Sequence, residues 1–119
     1  MTITVYGIPN CDTVKKARGF FKERAVACGF VDFKKQGVPA GKLTAWMAAV
    51  GWERLLNRQG STWRLLDEAA KALVIDADSA AVVMTANPSC IKRPVVEWSA
   101  GEVTVGFSEG VFLELLPPP

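Results

Sequence analysis

The hydrophobic period of the sequence changes abruptly near the start of the chain, and this change limits the folds that the chain can adopt. Residues Ile3 to Tyr6 are mostly β-branched or aromatic and are followed by Gly7 and Pro9, which predicts a short strand and then a tight loop. From Cys11 onward, apolar residues recur every three or four positions with charged residues between them. This spacing predicts an amphipathic helix with an apolar face made of Val14, Ala17, Phe20 and Phe21.

The beginning of this helix is marked by polar residues on both sides of Cys11. Asn10 is a preferred capping residue, and Asp12 places a carboxylate in the first turn, where it complements the helix dipole. Gly29 interrupts the helical pattern, and the residues from Phe30 to Phe33 predict a second strand. We expect the two strands to pair in parallel through a right-handed crossover, with Cys11 at the helix start.

The rest of the chain divides into a helical middle and a final β-hairpin with a helix. Apolar residues at helical spacing predict several short helices between about 39 and 87, with an exposed polar loop at 57–62. Residues 94–98 and 103–105 predict a hairpin, and Ser108 is a candidate cap for a last helix. The order βα, β, helices, ββα predicts an α/β fold with a thioredoxin-like mixed sheet. We interpret residues 1–119 as one domain with an all-helical insertion at about 37–88.

Composition narrows the classes of function. The length of 119 residues suits one domain, and a formal net charge of +2 gives no reason to expect direct binding of nucleic acid. There is no apolar run of about eighteen residues, so we expect no membrane association. Three cysteines without a CxxC pair, in a chain without histidine, favour neither a disulfide scaffold nor a bound metal. We therefore expect a cytoplasmic protein with reduced thiols.

Cys11 is the strongest candidate for a reactive group. Backbone N–H groups and the positive end of the dipole at a helix start stabilise a thiolate, so the pKa of Cys11 should be depressed. Lys15 and Lys16 would add to this effect, and Asp12 would oppose it. The alternative is that Cys11 is a small residue with no reactive role. The absence of histidine excludes a Cys–His site of the protease type.

Arg93 is the strongest candidate for an anion-binding group. It directly precedes Pro94 at the entrance to a predicted strand, and the sequence leaves the isomer of this bond open. An arginine near a thiolate would stabilise it and could hold an oxyanion through its planar donor fork. Arg58 and Arg64, in and beside the polar loop, could extend such a site. The alternative for all three is an ordinary solvated arginine.

A resemblance to a known family covers nearly the whole chain and is carried by residues 6–18, 51–53, 55–57, 62–64, 91–96 and 106–108. Together these segments resemble the arsenate reductase (ArsC) family, in its Spx/YffB branch. It implies a thioredoxin-like core with a helical insertion, a nucleophile at Cys11, a cis proline at Pro94 and an anion-binding role for Arg93. It also implies glutathione as co-substrate, with glutaredoxin as a further partner and no bound cofactor. The residues that we expect to contact substrate or glutathione are Asn10, Asp12, Arg58, Arg64 and Pro94.

The chain departs from the pattern of the family that it resembles at three places. Arsenate reductases of this type have two further arginines around the anion, and the later position is occupied here by Gly106. The earlier one falls near residues 57–59, where Arg58 is the candidate. Spx regulators usually carry a CxxC switch, whereas this chain has Val14 at the second position, so a disulfide cannot form at that motif.

These features lead to two main hypotheses. The first is a glutathione-dependent thiol reductase in which Cys11 attacks the substrate, Arg93 stabilises the anion and an external thiol releases the product. The second is a non-enzymatic regulator resembling Spx, which binds RNA polymerase or another protein through the helical block. A relic fold without turnover is a third interpretation. Cys90 is either a resolving thiol or a small core residue, and Cys28 is more simply a core residue.

Overall fold

The structure is a computed structural model, and it describes residues 2–39 and 41–118. The strands lie toward the two ends of the chain, where helices accompany them, and the described elements between them are helices. In chain order the elements are β1 (Ile3–Gly7), α1 (Asp12–Glu23), β2 (Cys28–Asp32), α2 (Phe33–Gln36), α3 (Lys42–Val50), α4 (Trp52–Leu55), α5 (Ser61–Leu65), α6 (Glu68–Ala72), α7 (Ala77–Ala86), a 3₁₀ helix (Pro88–Cys90), β3 (Val95–Glu97), β4 (Val103–Val105) and α8 (Glu109–Leu115). The predicted order βα, β, helices, ββα is therefore confirmed.

The chain contains two compact units. The first comprises the residues up to Gln36 and from Arg93 onward, and the second comprises Gly37–Lys92. The first unit is built on a mixed sheet of order β2-β1-β3-β4. Strands β1 and β2 are parallel, whereas β3 is antiparallel to both β1 and β4. This is the α/β, thioredoxin-like sheet that the sequence predicted.

Aromatic side chains fill the core between this sheet and helices α1 and α8. The ring of Phe112 stacks on Phe21 at a centroid distance of 5.6 Å and meets Trp98 edge to face at 4.9 Å. Offset-stacked and edge-to-face pairs add stability beyond the area they bury. The cluster consists of Ile3, Val5, Ala17, Phe20, Phe21, Val96, Trp98 and Phe112. The alternating residues Ile3 and Val5 of β1 and the helically spaced apolar residues of α1 therefore face the same core cluster.

The regular elements described in the second unit are helices, and an isolated antiparallel bridge joins Leu56 and Ile91. The core of this unit contains the buried side chains of Leu43, Trp46, Leu55 and Met84. Helix α7 begins with a reciprocal capping box, in which the Asp76 carboxylate accepts a hydrogen bond from a backbone N–H. In the described part of the chain no helix has both the length and the apolar character that a bilayer crossing requires.

Several predicted boundaries were wrong. Strand β2 begins at Cys28 and not at Phe30, because parallel pairing with β1 extends it, and β3 covers Val95–Glu97 and not 94–98. Phe33 begins α2 and is not the end of the second strand, because the Asp32 carboxylate accepts a hydrogen bond of 2.8 Å from the Lys34 backbone N–H. An aspartate in this position ends a strand and caps a helix. In the predicted 57–62 loop, Ser61 and Thr62 belong instead to α5, which starts after the extended backbone of Gly60.

Candidate active site around Cys11

Cys11 occupies the capping position of α1. Its backbone is extended, with φ −139° and ψ 127°, and its carbonyl accepts a hydrogen bond of 2.9 Å from the Lys15 N–H. The helix proper begins at Asp12, so the prediction that Asn10 caps it is wrong. Asn10 lies one residue too early and is exposed. Cys11 itself is half-buried, and this leaves its sulfur open to a reactant.

Gly7 fixes the approach of β1 to α1. A Cβ atom at this position would lie 2.8 Å from Cγ2 of Val14, which is shorter than any real carbon contact. Because Gly7 has no side chain, the end of β1 can pass directly under the first turn of α1. The short loop that carries Cys11 is therefore held between two packed elements.

The pairing of β3 with β1 brings Arg93 to the same end of the sheet. Val95 lies opposite Tyr6 in the antiparallel register, so Arg93 is level with the residues that follow Gly7. The Arg93–Pro94 bond is cis, as the resemblance implied, and the Pro94 carbonyl accepts a hydrogen bond of 2.9 Å from the Gly106 N–H. The structure therefore brings together Cys11 and Arg93, the two residues predicted to do the chemistry.

The surroundings of Cys11 lower the pKa of its thiol. Burial of the sulfur is the largest single influence and raises the pKa. It is outweighed by the backbone N–H groups of Val14 and Thr13, which face the sulfur, and by the Arg93 guanidinium, which acts as hydrogen-bond donor and as charge. The side chain makes no capping hydrogen bond of ordinary geometry, so these N–H groups act chiefly by stabilising the anion. Thr13 had not been singled out in the sequence.

Cys28 has the opposite character. Burial raises the pKa of its thiol, and the charge of Arg18 offsets this only in part. In the parallel register Cys28 lies opposite Ile3, whereas Cys11 follows the far end of β1. A five-residue strand separates these two levels by about 13 Å, and a disulfide requires Cα atoms within about 7 Å. Cys28 therefore cannot pair with Cys11 without rearrangement of the sheet.

The remaining predicted residues are divided between the two units. Asp12 is exposed in the first turn of α1, and Pro94 is buried beneath the sheet end. In the second unit the exposed Arg58 lies 5.2 Å from the centre of the Trp52 ring, a cation–π contact. Arg64 is exposed, and its backbone carbonyl accepts a hydrogen bond from Lys71. Their roles toward substrate or glutathione stay predictions.

Gly106 and Cys90 have clear structural settings. The backbone of Gly106 has a φ of +77°, a left-handed conformation in which an arginine would be strained. Cys90 is buried in the second unit, with 1% of its surface exposed, and its carbonyl accepts a hydrogen bond of 2.7 Å from the Asn57 N–H. Within residues 2–39 and 41–118 no group of three or more metal-binding side chains is arranged to hold an ion.

Comparison with known proteins identifies relatives by sequence and by structure. A family model described as the ArsC family matches residues 6–115. An uncharacterized protein of Haemophilus influenzae is 39% identical over 107 residues, which is 90% of this chain and 92% of the relative. The solved structure of the YFFB (PA3664) protein is 45% identical with a TM-score of 0.91, over 98% of this chain and all of the other. An arsenate reductase (ArsC) related protein from Brucella melitensis is 43% identical with a TM-score of 0.73, over 96% and 93% of the two chains.

Proposed function

The chain belongs to the ArsC family, and we propose on that premise that it is a thiol reductase that uses Cys11 as its nucleophile and glutathione as its reductant. The observation that carries the proposal is the setting of Cys11: a half-buried thiol with a lowered pKa at a helix start, facing the guanidinium of Arg93. A thiolate is the nucleophilic form of cysteine, and such settings are typical of reactive thiols.

The chemistry can be written for a glutathione mixed disulfide, R–S–S–G, as substrate. The Cys11 thiolate attacks the glutathione sulfur, the S–S bond breaks, and the substrate thiol leaves as a thiolate that takes up a proton. A second glutathione thiolate then attacks the glutathione sulfur of the Cys11 mixed disulfide. Oxidised glutathione leaves and the Cys11 thiolate is restored. The Arg93 guanidinium stabilises the anionic sulfur at both stages.

An external thiol is needed because this chain offers no resolving cysteine near Cys11 in the first unit. Position 14 is a valine. Cys28 lies in β2 opposite Ile3 at the start of β1, whereas Cys11 follows the end of β1. Cys90 is buried, which is a poor setting for attack on a mixed disulfide. Glutathione or a glutaredoxin would supply the electrons. A cytoplasmic location is part of the proposal.

Arsenate is not the substrate that we propose. Gly106 occupies the position at which the resemblance to arsenate reductases implies a later arginine. The left-handed backbone of Gly106 disfavours any side chain there. Arg93 then provides the one guanidinium that the described first unit places against the Cys11 sulfur. A single guanidinium suits a singly charged thiolate better than a multiply charged oxyanion.

The test is turnover of a small glutathione mixed disulfide with glutathione as reductant, monitored by formation of oxidised glutathione. Wild type should turn over, and Cys11→Ser should lose activity to the uncatalysed rate, since serine cannot form the mixed disulfide. Cys28→Ser is the matched control and should retain activity. Mass spectrometry should locate glutathione on Cys11. Unchanged turnover in Cys11→Ser would contradict the proposal.

A second candidate function, binding of a protein partner without turnover, is supported by one observation in the second unit. Large apolar side chains are exposed there, including Leu65 at 85% and Ile75 at 76%. Such exposure is typical of interaction surfaces when the side chains are contiguous. Under this hypothesis Cys11→Ser would leave function intact, whereas Leu65→Ser and Ile75→Ser would remove it.

A further inference from the structure

A groove runs along α1 on the side that faces the edge strand β2. It is lined by Lys15, Arg18, Gly19 and Lys22 from the helix and by Cys28 and Phe30 from the strand, and it has a volume of about 500 Å³. We call it the α1–β2 groove. Its lining contains three cations and no carboxylate, so it carries a positive potential.

The cations of this groove are not neutralised within the described chain. Residues 2–39 and 41–118 contain no ion pair from Lys15, Arg18 or Lys22 to a carboxylate. The guanidinium of Arg18 lies 4.2 Å from the centre of the Phe30 ring, which holds it in the groove. On the other side of α1 the situation differs, because Arg24 approaches Glu23 and Glu109 at 3.9 and 3.8 Å. Among the described residues the α1–β2 groove therefore has cations and no carboxylate in its lining, whereas the lining of the neighbouring groove also contains Glu23 and Glu109.

Gly19 is a second, independent observation at the same place. It lies in the interior of α1, where glycine costs about 0.5–1 kcal/mol relative to alanine. A Cβ atom at Gly19 would meet nothing within 4 Å, so the packing of this chain does not require glycine. A missing side chain that the fold does not need is explained if another molecule approaches the helix closely there.

We propose that the α1–β2 groove docks an acidic peptide segment next to the cysteine that exchanges with Cys11. The inference rests on the proposed function, because it names the class of thiol or disulfide that Cys11 serves. Two features of the groove favour this occupant. The row of cations complements carboxylates, and the gap at Gly19 admits a peptide backbone against the helix.

The reach of such a segment follows from helix geometry. Lys15 lies one turn from Cys11, at about 6 Å along the axis, and its side chain leans toward the helix start. Arg18 and Lys22 follow at about 10 and 16 Å. An extended peptide covers about 3.3 Å per residue, so carboxylates about two, three and five residues from its cysteine would match the three cations.

The experiment measures exchange of Cys11 with peptides activated as 2-pyridyl disulfides. The acidic peptide is Cys-Gly-Glu-Glu-Gly-Glu, made with cysteine at either end, and the neutral one has Gln in place of Glu. The Cys11 thiolate attacks the peptide sulfur, the S–S bond breaks, and the released 2-thiopyridone is followed by absorbance. At low salt we expect the acidic peptide to react about five- to tenfold faster than the neutral one, and 0.5 M salt should remove the difference.

Variants locate the effect. Lys22→Gln should reduce the preference for the acidic peptide about twofold, and Gly19→Ala should reduce it while raising the midpoint of thermal unfolding. Lys35→Gln removes the same charge from exposed α2 and is the matched control, expected to leave the preference unchanged. The neutral peptide reports on the thiol itself, so equal slowing of both peptides in Lys22→Gln would overturn the proposal.

The remaining outcomes separate this proposal from the function it rests on. Equal rates for both peptides in wild type would overturn the docking groove and leave the thiol reductase standing. No exchange at Cys11 with any peptide would overturn both. If inorganic pyrophosphate slows the reaction of the acidic peptide and a cysteine-free acidic peptide does not, the ligand of the groove is a phosphate compound and not a peptide. A dimer that Lys22→Gln abolishes would assign the groove to a second copy of the chain.

Discussion

Removal of the Arg93 guanidinium should change the reactivity of Cys11 in opposite directions at low and high pH. Arg93 stabilises the Cys11 thiolate by a hydrogen bond and by its charge, and the N–H groups of Thr13 and Val14 remain when it is removed. A charge-assisted hydrogen bond contributes about 1.5–3 kcal/mol when buried, but this sulfur is half-exposed and water screens part of it. We therefore assign Arg93 about 1 kcal/mol, a factor of about five in the ionisation equilibrium.

The thiolate that remains in Arg93→Ala is rarer but more nucleophilic. Exchange rates rise with thiol basicity with a Brønsted coefficient of about 0.45, so a factor of about five in ionisation becomes about twofold in intrinsic rate. Near pH 6 the exchange rate with a neutral pyridyl disulfide should fall about two- to threefold. Above the pKa of both proteins the rate should exceed that of wild type about twofold. The two pH profiles therefore cross.

The assay is stopped-flow exchange over pH 5 to 10, with Arg54→Ala as the control for loss of one exposed arginine. Arg93→Lys keeps the charge without the planar fork and should lie between the two profiles. Superimposable profiles for wild type and Arg93→Ala would refute the reasoning, because they would show that the guanidinium does not stabilise the thiolate. A uniform loss of rate at every pH would refute it as well, since misfolding rather than electrostatics produces that pattern.

Four further predictions concern stability. The fold lowers the pKa of Cys11 from 9.0, so ionisation of this thiol stabilises the folded state. This stabilisation is complete above pH 9 and is lost as pH falls through the folded pKa. The difference in melting temperature between wild type and Cys11→Ser should therefore grow toward pH 9. Burial raises the pKa of Cys28, so its effect has the opposite sign, and the advantage over Cys28→Ser should shrink as pH rises past 9. Gly106→Ala should cost about 1 kcal/mol in urea unfolding because of the left-handed backbone, and a loss below about 0.3 kcal/mol would contradict that account. Gly7→Ala should cost about 1–3 kcal/mol through its clash with Val14 and should also slow exchange at Cys11; full retention of both would show that the loop is not held as described.

The order of strands and helices was predictable from local sequence patterns, because the hydrophobic period and the turn residues act over a few positions. The strand that ends at Gly7, the helix after Cys11 and the cap at Ser108 all follow from neighbouring residues, and all three are confirmed. The errors at Phe33 and Asn10 are also local. The Asp32 side chain was the signal for the first.

The pairing at the site depended on long-range contacts. Arg93 meets Cys11 because β3 lies antiparallel to β1 with Val95 opposite Tyr6, and no spacing in the sequence encodes this register. The family resemblance supplied it instead. The α1–β2 groove was missed, although the cations at Lys15, Arg18 and Lys22 follow a helical spacing, because its far wall comes from β2.

The capping position of Cys11 links the oxidation state of the sulfur to the energy of the fold. The helix start and Arg93 stabilise a sulfur anion, and a mixed disulfide has no such charge. Folding therefore favours the reduced form over the conjugated one, which makes the mixed disulfide a stronger oxidant than one on an unstructured peptide. A Cys11 conjugate is thus poised to give up its adduct to another thiol.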